Sequence, residues 1–146
     1  MISGAQSQFA LDARLARDTV AVGDLALSRV RLNDDANYPW LILVPRRPGL
    51  VEIIDLAEPD RTQLISEVAR AARLLKELTQ CHKLNIAALG NVVAQLHVHV
   101  IARRTSDAAW PNPVWNAVPR RAYENAERGR LIDAIARGLQ IAPERG

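Results

Sequence analysis

The chain has 146 residues, 49% of them hydrophobic and 24% charged, which fits a single folded domain and excludes intrinsic disorder. One cysteine, Cys81, excludes an intrachain disulfide and a Cys-rich zinc module, and no apolar run approaches the roughly 20 residues of a membrane span. The net charge of +3 comes from 17 arginines and two lysines interspersed with 16 acids, without the basic run that marks a nucleic-acid-binding tail.

The N-terminal MISGAQSQFALDARLARD carries charges of both signs and no apolar block, so no signal peptide and a cytoplasmic setting are expected. Residues 8–17 suit a short helix or turn, and 19–24 a connector. Residues 25–32 alternate in part and read as a strand running into the polar turn at 33–37. Trp40-Leu41-Ile42-Leu43-Val44 is continuously apolar between Pro39 and Pro45, as a central strand buried on both faces would be. The two strands form an antiparallel hairpin. The clearest helix runs from 59 to about 80, with Pro59 at its first position and Leu64, Val68, Ala71, Leu75 and Leu78 in one stripe. Residues 83–89 and 95–103 read as two further strands joined by a turn at Gly90-Asn91. The prolines of Trp110-Pro111-Asn112-Pro113-Val114-Trp115 exclude regular structure there. A last amphipathic helix over about 123–139 places Leu131, Ile132, Ile135 and Leu139 on one face. The pattern is α+β, an antiparallel sheet covered by helices.

Chemistry concentrates in Gln95-Leu96-His97-Val98-His99-Val100-Ile101. On a strand, Gln95, His97 and His99 project to one face, while Leu96, Val98 and Val100 project to the other and suit a core. An imidazole near neutral pH is a nucleophile, and its neighbour can hydrogen-bond an anion. The third histidine, His82, stands apart just past the long helix, at its negative end.

This segment resembles the motif of the histidine triad (HIT) superfamily, with Gln95 in place of the first histidine, His97 at the nucleophilic position and His99 at the third. WLILVPRR is similar to the family's second core strand. Leu32-Asn33-Asp34 resembles the segment whose acid binds ribose, Leu84-Asn85-Ile86 the strand carrying a phosphate-contacting amide, and Gly90-Asn91 the Gly-Gln turn of the same site. The likeness spans roughly 20–115. It implies an antiparallel sheet of about five strands with one long and one C-terminal helix, in a homodimeric hydrolase or nucleotidyl transferase. His97 would attack the α-phosphorus of a nucleoside phosphate, phosphoramidate or dinucleoside polyphosphate, and water would cleave the nucleotidyl-histidine. His99 would meet a non-bridging oxygen or the leaving group. Gln95, Asn85, Asn91, Asp34 and Asn33 would bind the substrate, a purine nucleotide or nucleotide conjugate. No metal or other cofactor is implied, nor a nucleic-acid or membrane partner. Two departures bear on rate and leaving group: Gln95 cannot protonate, and Val92 stands where many members carry Ser or Thr.

Three rival readings stand beside this one. The same pocket could hold a nucleotide without turning it over. His97 and His99 could ligate zinc, with Asp107 or His82, although no spacing supplies four ligands. The chain could also be a dimeric scaffold in which Trp110 and Trp115 only pack.

Overall fold

The computed structural model describes residues 8–142. Residues 1–7, which begin the stretch read for a leader, and Arg145, the last of the arginines, lie outside them. The elements in order are α1 (Ala13–Asp18), β1 (Thr19–Asp24), β2 (Ser28–Asn33), β3 (Trp40–Pro45), a 3₁₀ turn (Ile53–Asp55), α2 (Glu58–Thr79), β4 (Lys83–Ala87), β5 (Val98–Arg103) and α3 (Asn125–Leu139). The strands form one antiparallel sheet in the order β1-β2-β3-β5-β4. The α+β class, the long helix and the C-terminal helix stand as expected.

The connector expected at 19–24 is instead the edge strand β1. Its register slips between Ala21 and Gly23, so a bulge interrupts the period-two pattern by which a strand is read from sequence. Gly23 has φ 156°, and a Cβ there would sit 2.6 Å from the carbonyl oxygen of Ala142. Three other strands are shorter than expected: β2 begins at Ser28 rather than at residue 25, β4 stops at Ala87, and β5 begins at Val98 rather than at residue 95. Leu78, expected in the buried stripe of α2, is 43% exposed and lines an open groove between α2 and α3 with Leu74 and Ala134.

Side chains alternate across the sheet and build two cores. Val30, Leu32, Leu41, Leu43, Val98 and Val100 face α2 and α3, against Leu64, Val68, Ala71, Leu75, Ile135 and Leu139. Gly138 brings α3 close to α2, since a Cβ there would overlap Leu74 at 2.4 Å. Glu67 of α2 is buried and accepts the amides of Leu27 (2.9 Å) and Ser28 (2.8 Å), tying the β1–β2 turn to the long helix.

The opposite face is covered by coil. Trp40, Ile42, Val44 and Ile101 pack with Leu15, Tyr38, Ala109 and Val114, and with part-buried Phe9, Leu11, Val93 and Trp115. Arg103 organises the segment beyond β5. It is 1% exposed, donates to both carboxylate oxygens of Asp107 (2.8 and 3.0 Å), to Asn85 Oδ1 (2.8 Å) and to the carbonyl of Asn112 (2.9 Å). Its guanidinium also lies over the rings of Tyr38 and Trp110. Burial works against the charge on Asp107, but the bonds from Arg103 and from the Arg104 and Ala109 amides outweigh it and hold that carboxyl below its ordinary range.

Removing one member of a buried ion pair strands the other, at about 3–5 kcal/mol. Arg103→Ala is therefore expected to lose about that much stability in urea denaturation. A loss under about 1 kcal/mol, the level of an exposed pair, would show that the segment after β5 does not depend on this cation.

Candidate functional site

The two motif histidines meet on the coil-covered face of the sheet. His99 lies on β5, level with Ile42 of β3 and Ala87 of β4, and His97 sits one residue before the strand. The Leu96 amide donates to the Leu50 carbonyl at 3.0 Å and its side chain enters the helix-side core. That leaves His97 beside His99, ring centroids 4.8 Å apart, each only 6% exposed.

Both rings have neighbours of fixed hydrogen-bonding sense. His97 Nδ1 lies 2.6 Å from the Gln95 carbonyl. A carbonyl only accepts, so the neutral ring carries its proton on Nδ1 and leaves Nε2 with a free lone pair. Trp40 Nε1 donates to His99 Nδ1 at 2.9 Å. An indole N–H only donates, so His99 is neutral with its proton on Nε2. Burial, and to a lesser degree the adjoining His97, push the His99 pKa from 6.5 down to about 3. Trp40 and Trp115 enclose this ring edge-on, at centroid distances of 5.5 and 5.1 Å. The site thus holds one bare nitrogen and one neutral N–H donor side by side.

A cavity of about 230 Å³ opens beside His97. Val51, Ile53, Ile54, Leu89 and Leu96 line it with Gly90, Gln95 and Glu52, and no Lys or Arg is among the described residues around it. Gly90 has φ 70°, so the loop turns at the wall through a residue without a Cβ to strain.

The other residues expected in the site are placed differently. Gln95 lines the cavity, but its carboxamide bonds to the main chain of Ala10 and Asp12, both at 2.8 Å. Asn91 is exposed beside Gly90. Asn85 shares the histidine face, pairs with Ile101 and accepts a hydrogen bond from Arg103 at Oδ1; four residues of strand, roughly 13 Å, separate its level from that of His97. Asn33 ends β2, half-buried, one rung past the Leu32–Leu41 pair. The structure does not bring Asp34 to the histidines. It lies about five residues, roughly 16 Å, along β2 from the rung of His97. Its carboxylate accepts from Arg128 of α3 (3.1 Å) and from the Tyr123 amide (3.4 Å).

Neither zinc partner considered from sequence reaches the pair. Asp107 is held by Arg103, and His82 Nδ1 accepts the Thr105 amide at 3.1 Å. Among the described residues no three His, Cys, Asp or Glu side chains converge as a ligand set. Sequence reasoning missed Trp40 as a partner of His99, and the main chain of Ala10 and Asp12 as the partner of Gln95. A tryptophan opening a strand was visible, but its aim at His99 depends on the β3–β5 register.

A HIT domain model matches residues 14–106, and the chain belongs to the histidine triad family. Its structure is similar to that of a histidine triad protein from Bradyrhizobium japonicum (56% identity, TM-score 0.90, covering 91% of this chain and 99% of that one). It is also similar to histidine triad proteins from Sinorhizobium meliloti (43%, 0.87, covering 89% and 96%) and Marinobacter aquaeolei (39%, 0.89, covering 93% and 100%). None of the curated proteins matches it. No helix among the described residues is long and apolar enough to cross a membrane.

The burial of neutral His99 has a consequence for stability. Between pH 6.5 and about 3 the unfolded chain protonates this imidazole and the folded chain does not, so stability falls as pH drops through that window. The slope is about 1.4 kcal/mol per pH unit, or about 2 kcal/mol on going from pH 6.5 to pH 5. His99→Asn cannot titrate and offers Trp40 an acceptor. Urea unfolding at both pH values should show that much less acid sensitivity in the variant; equal sensitivity would mean that folded His99 takes up the proton.

Proposed function

We propose that this protein is a nucleotide-binding hydrolase or nucleotidyl transferase in which His97 forms a covalent nucleotidyl-histidine. The observation that carries the reading is the pair of opposed tautomers. The Gln95 carbonyl keeps the proton on His97 Nδ1, and Nε2 is free to attack the α-phosphorus. As the Nε2–P bond forms, the bond to the leaving group breaks and the leaving group departs with its electron pair, taking a proton from solvent. Water then cleaves the P–N bond, returning free His97 and the nucleoside monophosphate. His99 Nε2–H donates to a non-bridging oxygen as negative charge gathers there. With its pKa near 3 it serves as a neutral donor rather than an acid.

The cavity beside His97 narrows the leaving group. Its aliphatic lining and the Glu52 carboxylate disfavour an anionic polyphosphate and favour an amine, whose ammonium form Glu52 would attract. A nucleoside phosphoramidate therefore suits it better than a dinucleoside polyphosphate. Gly90 and Asn91 keep their proposed place at the phosphate, as main-chain donors of the turn. Asp34 and Asn85 serve the fold, because their oxygens are already paired. We further propose a cytoplasmic homodimer joined through β4, an edge strand that leaves Ile86 52% exposed.

A second reading, a nucleotide binder with slow or no turnover, is favoured by the low exposure of both histidines. One experiment separates the two. The protein is mixed with an adenosine 5′-phosphoramidate, quenched in alkali, and its mass measured intact and after digestion. The wild type should gain one adenylyl group, mapped to His97, and release the amine and AMP. His97→Ala should lose turnover by about 10³-fold or more while binding AMP with nearly unchanged affinity. Retained activity in that variant would end the covalent mechanism, and unaltered substrate with AMP binding intact in the wild type would leave the binder.

A further inference from the structure

Gln95, where the family resemblance expects a histidine, makes two side-chain hydrogen bonds, neither to another side chain. Its Nε2 donates to the Ala10 carbonyl and its Oε1 accepts the Asp12 amide, each at 2.8 Å. A carboxamide presents a donor and an acceptor side by side, which matches the carbonyl and N–H of a chain running past it. The two nitrogens of an imidazole point away from each other and cannot meet that edge. A carboxylate would set an oxygen against the Ala10 carbonyl. The residue type at position 95 is therefore accounted for by the N-terminal segment.

That segment crosses the histidine face. Leu15 is buried with Trp40, Ile42 and Val44, and Ile42 is the β3 partner of His99. Phe9 and Leu11 pack into the same cluster. Arg14 donates to the carbonyl of Val92, three residues before Gln95, at 2.9 Å, while Asp12 accepts the Arg14 amide and starts α1. The ties at Gln95 and Arg14 lie at the exposed or part-buried rim, so they can open without unfolding the sheet. Gln95 also carries the carbonyl that fixes the His97 tautomer. One residue thus holds the segment with its side chain and the imidazole with its main chain.

We propose that residues 10–15 form a strap over the histidine pair, and that Gln95 is the positioning residue that latches it, so that access to His97 and His99 is set by this latch. The strap's role as a gate for nucleotide substrates rests on the reaction proposed above; its role as a cover does not.

The test uses the full chain and diethyl pyrocarbonate, which acylates accessible neutral imidazoles, with exposed His82 as the internal reference. Gln95→Glu removes the donor to Ala10 at almost constant shape. Arg14→Ala cuts the second tie and leaves the Gln95 side chain and carbonyl in place. In the wild type, His82 should react well ahead of His97 and His99. Both variants should raise the reactivity of the pair relative to His82 by about tenfold, the scale of one or two net hydrogen bonds lost. The Asp12 amide should exchange its hydrogen faster by a similar factor, with the melting temperature little changed. Faster exchange at Asp12 without unmasked histidines would overturn the proposal, because the segment would then cover nothing. Unmasking in Gln95→Glu alone would also overturn it, since the effect would run through the His97 carbonyl contact. Arg14→Ala, a change at the surface, keeps the proposal open to refutation even where Gln95→Glu fails to fold. A phosphoramidate that is never cleaved would count against the reaction and would leave these chemical readouts standing.

Discussion

The indole N–H of Trp40 can only donate, and so Nδ1 of His99, 2.9 Å away, can only accept. That contact needs β3 and β5 in one particular register, with Trp40 level with Ile101 and Ile42 level with His99. A slip of one residue would turn the histidines into the aliphatic core and expel Val98 and Val100. The same alternation that fills the space under α2 and α3 with aliphatic side chains therefore aims the histidines at the opposite face. Burial then keeps His99 neutral, and neutrality keeps its remaining N–H available as a donor. Packing, protonation state and chemistry follow from one strand pairing.

How much of this was legible in the sequence depends on the range of the forces involved. Trp40–Pro45 and α2 were readable because a fully apolar run and a stripe at helical spacing are local patterns that burial does not alter. β1 was not, since its bulge breaks the pattern and its packing comes from chain more than 100 residues away, at Ala142. The histidine pair and its shared face were read correctly. Gln95 was expected on the same strand face, yet the strand starts only at Val98, and its amide turns toward Ala10 and Asp12. Asp34 and Asn85 were expected at the ligand because of where they fall in a motif. Their arginine partners, Arg128 and Arg103, lie 94 and 18 residues away, and a motif carries no trace of such pairings.

The coil-covered face gives the fold an uncommon division of labour. On the helix side, a sheet with two helices is an ordinary two-layer core. On the other side no helical layer of comparable length lies among the described residues, and the cover consists of α1 with the coil that leads into it and the Asp107–Trp115 segment. Each cover is held by directional polar contacts: Gln95 and Arg14 for the first, Arg103 with Asp107 and Asn112 for the second. Such contacts are strong when made and lost when one partner turns away, whereas aliphatic packing gives way gradually. The ties at Gln95 and Arg14 lie at the exposed rim while the Arg103 network is buried, so the first cover separates from the sheet more easily than the second.

The electrostatics of the site run opposite to those of the chain. With a pI near 9.6 and 17 arginines, a phosphate-handling protein would be expected to bring guanidinium groups to the reacting phosphorus. The arginines nearest the sheet are instead committed elsewhere: Arg29 to Asp24, Arg47 to Asp60, Arg103 to Asp107 and Arg128 to Asp34. Around the His97 cavity the charged side chain is an acid, Glu52. No Lys or Arg among the described residues lines that cavity, so in the proposed reaction stabilisation falls to neutral donors, the His99 N–H and the amides of the Gly90 turn. Neutral donors bind a ground-state phosphate weakly and gain as charge concentrates on its oxygens, so more of their interaction is realised in the transition state than in the bound substrate. A clamp of arginines would hold substrate and product anions alike. In the proposed reaction, a cavity without one would release the nucleoside monophosphate more readily than a clamped site.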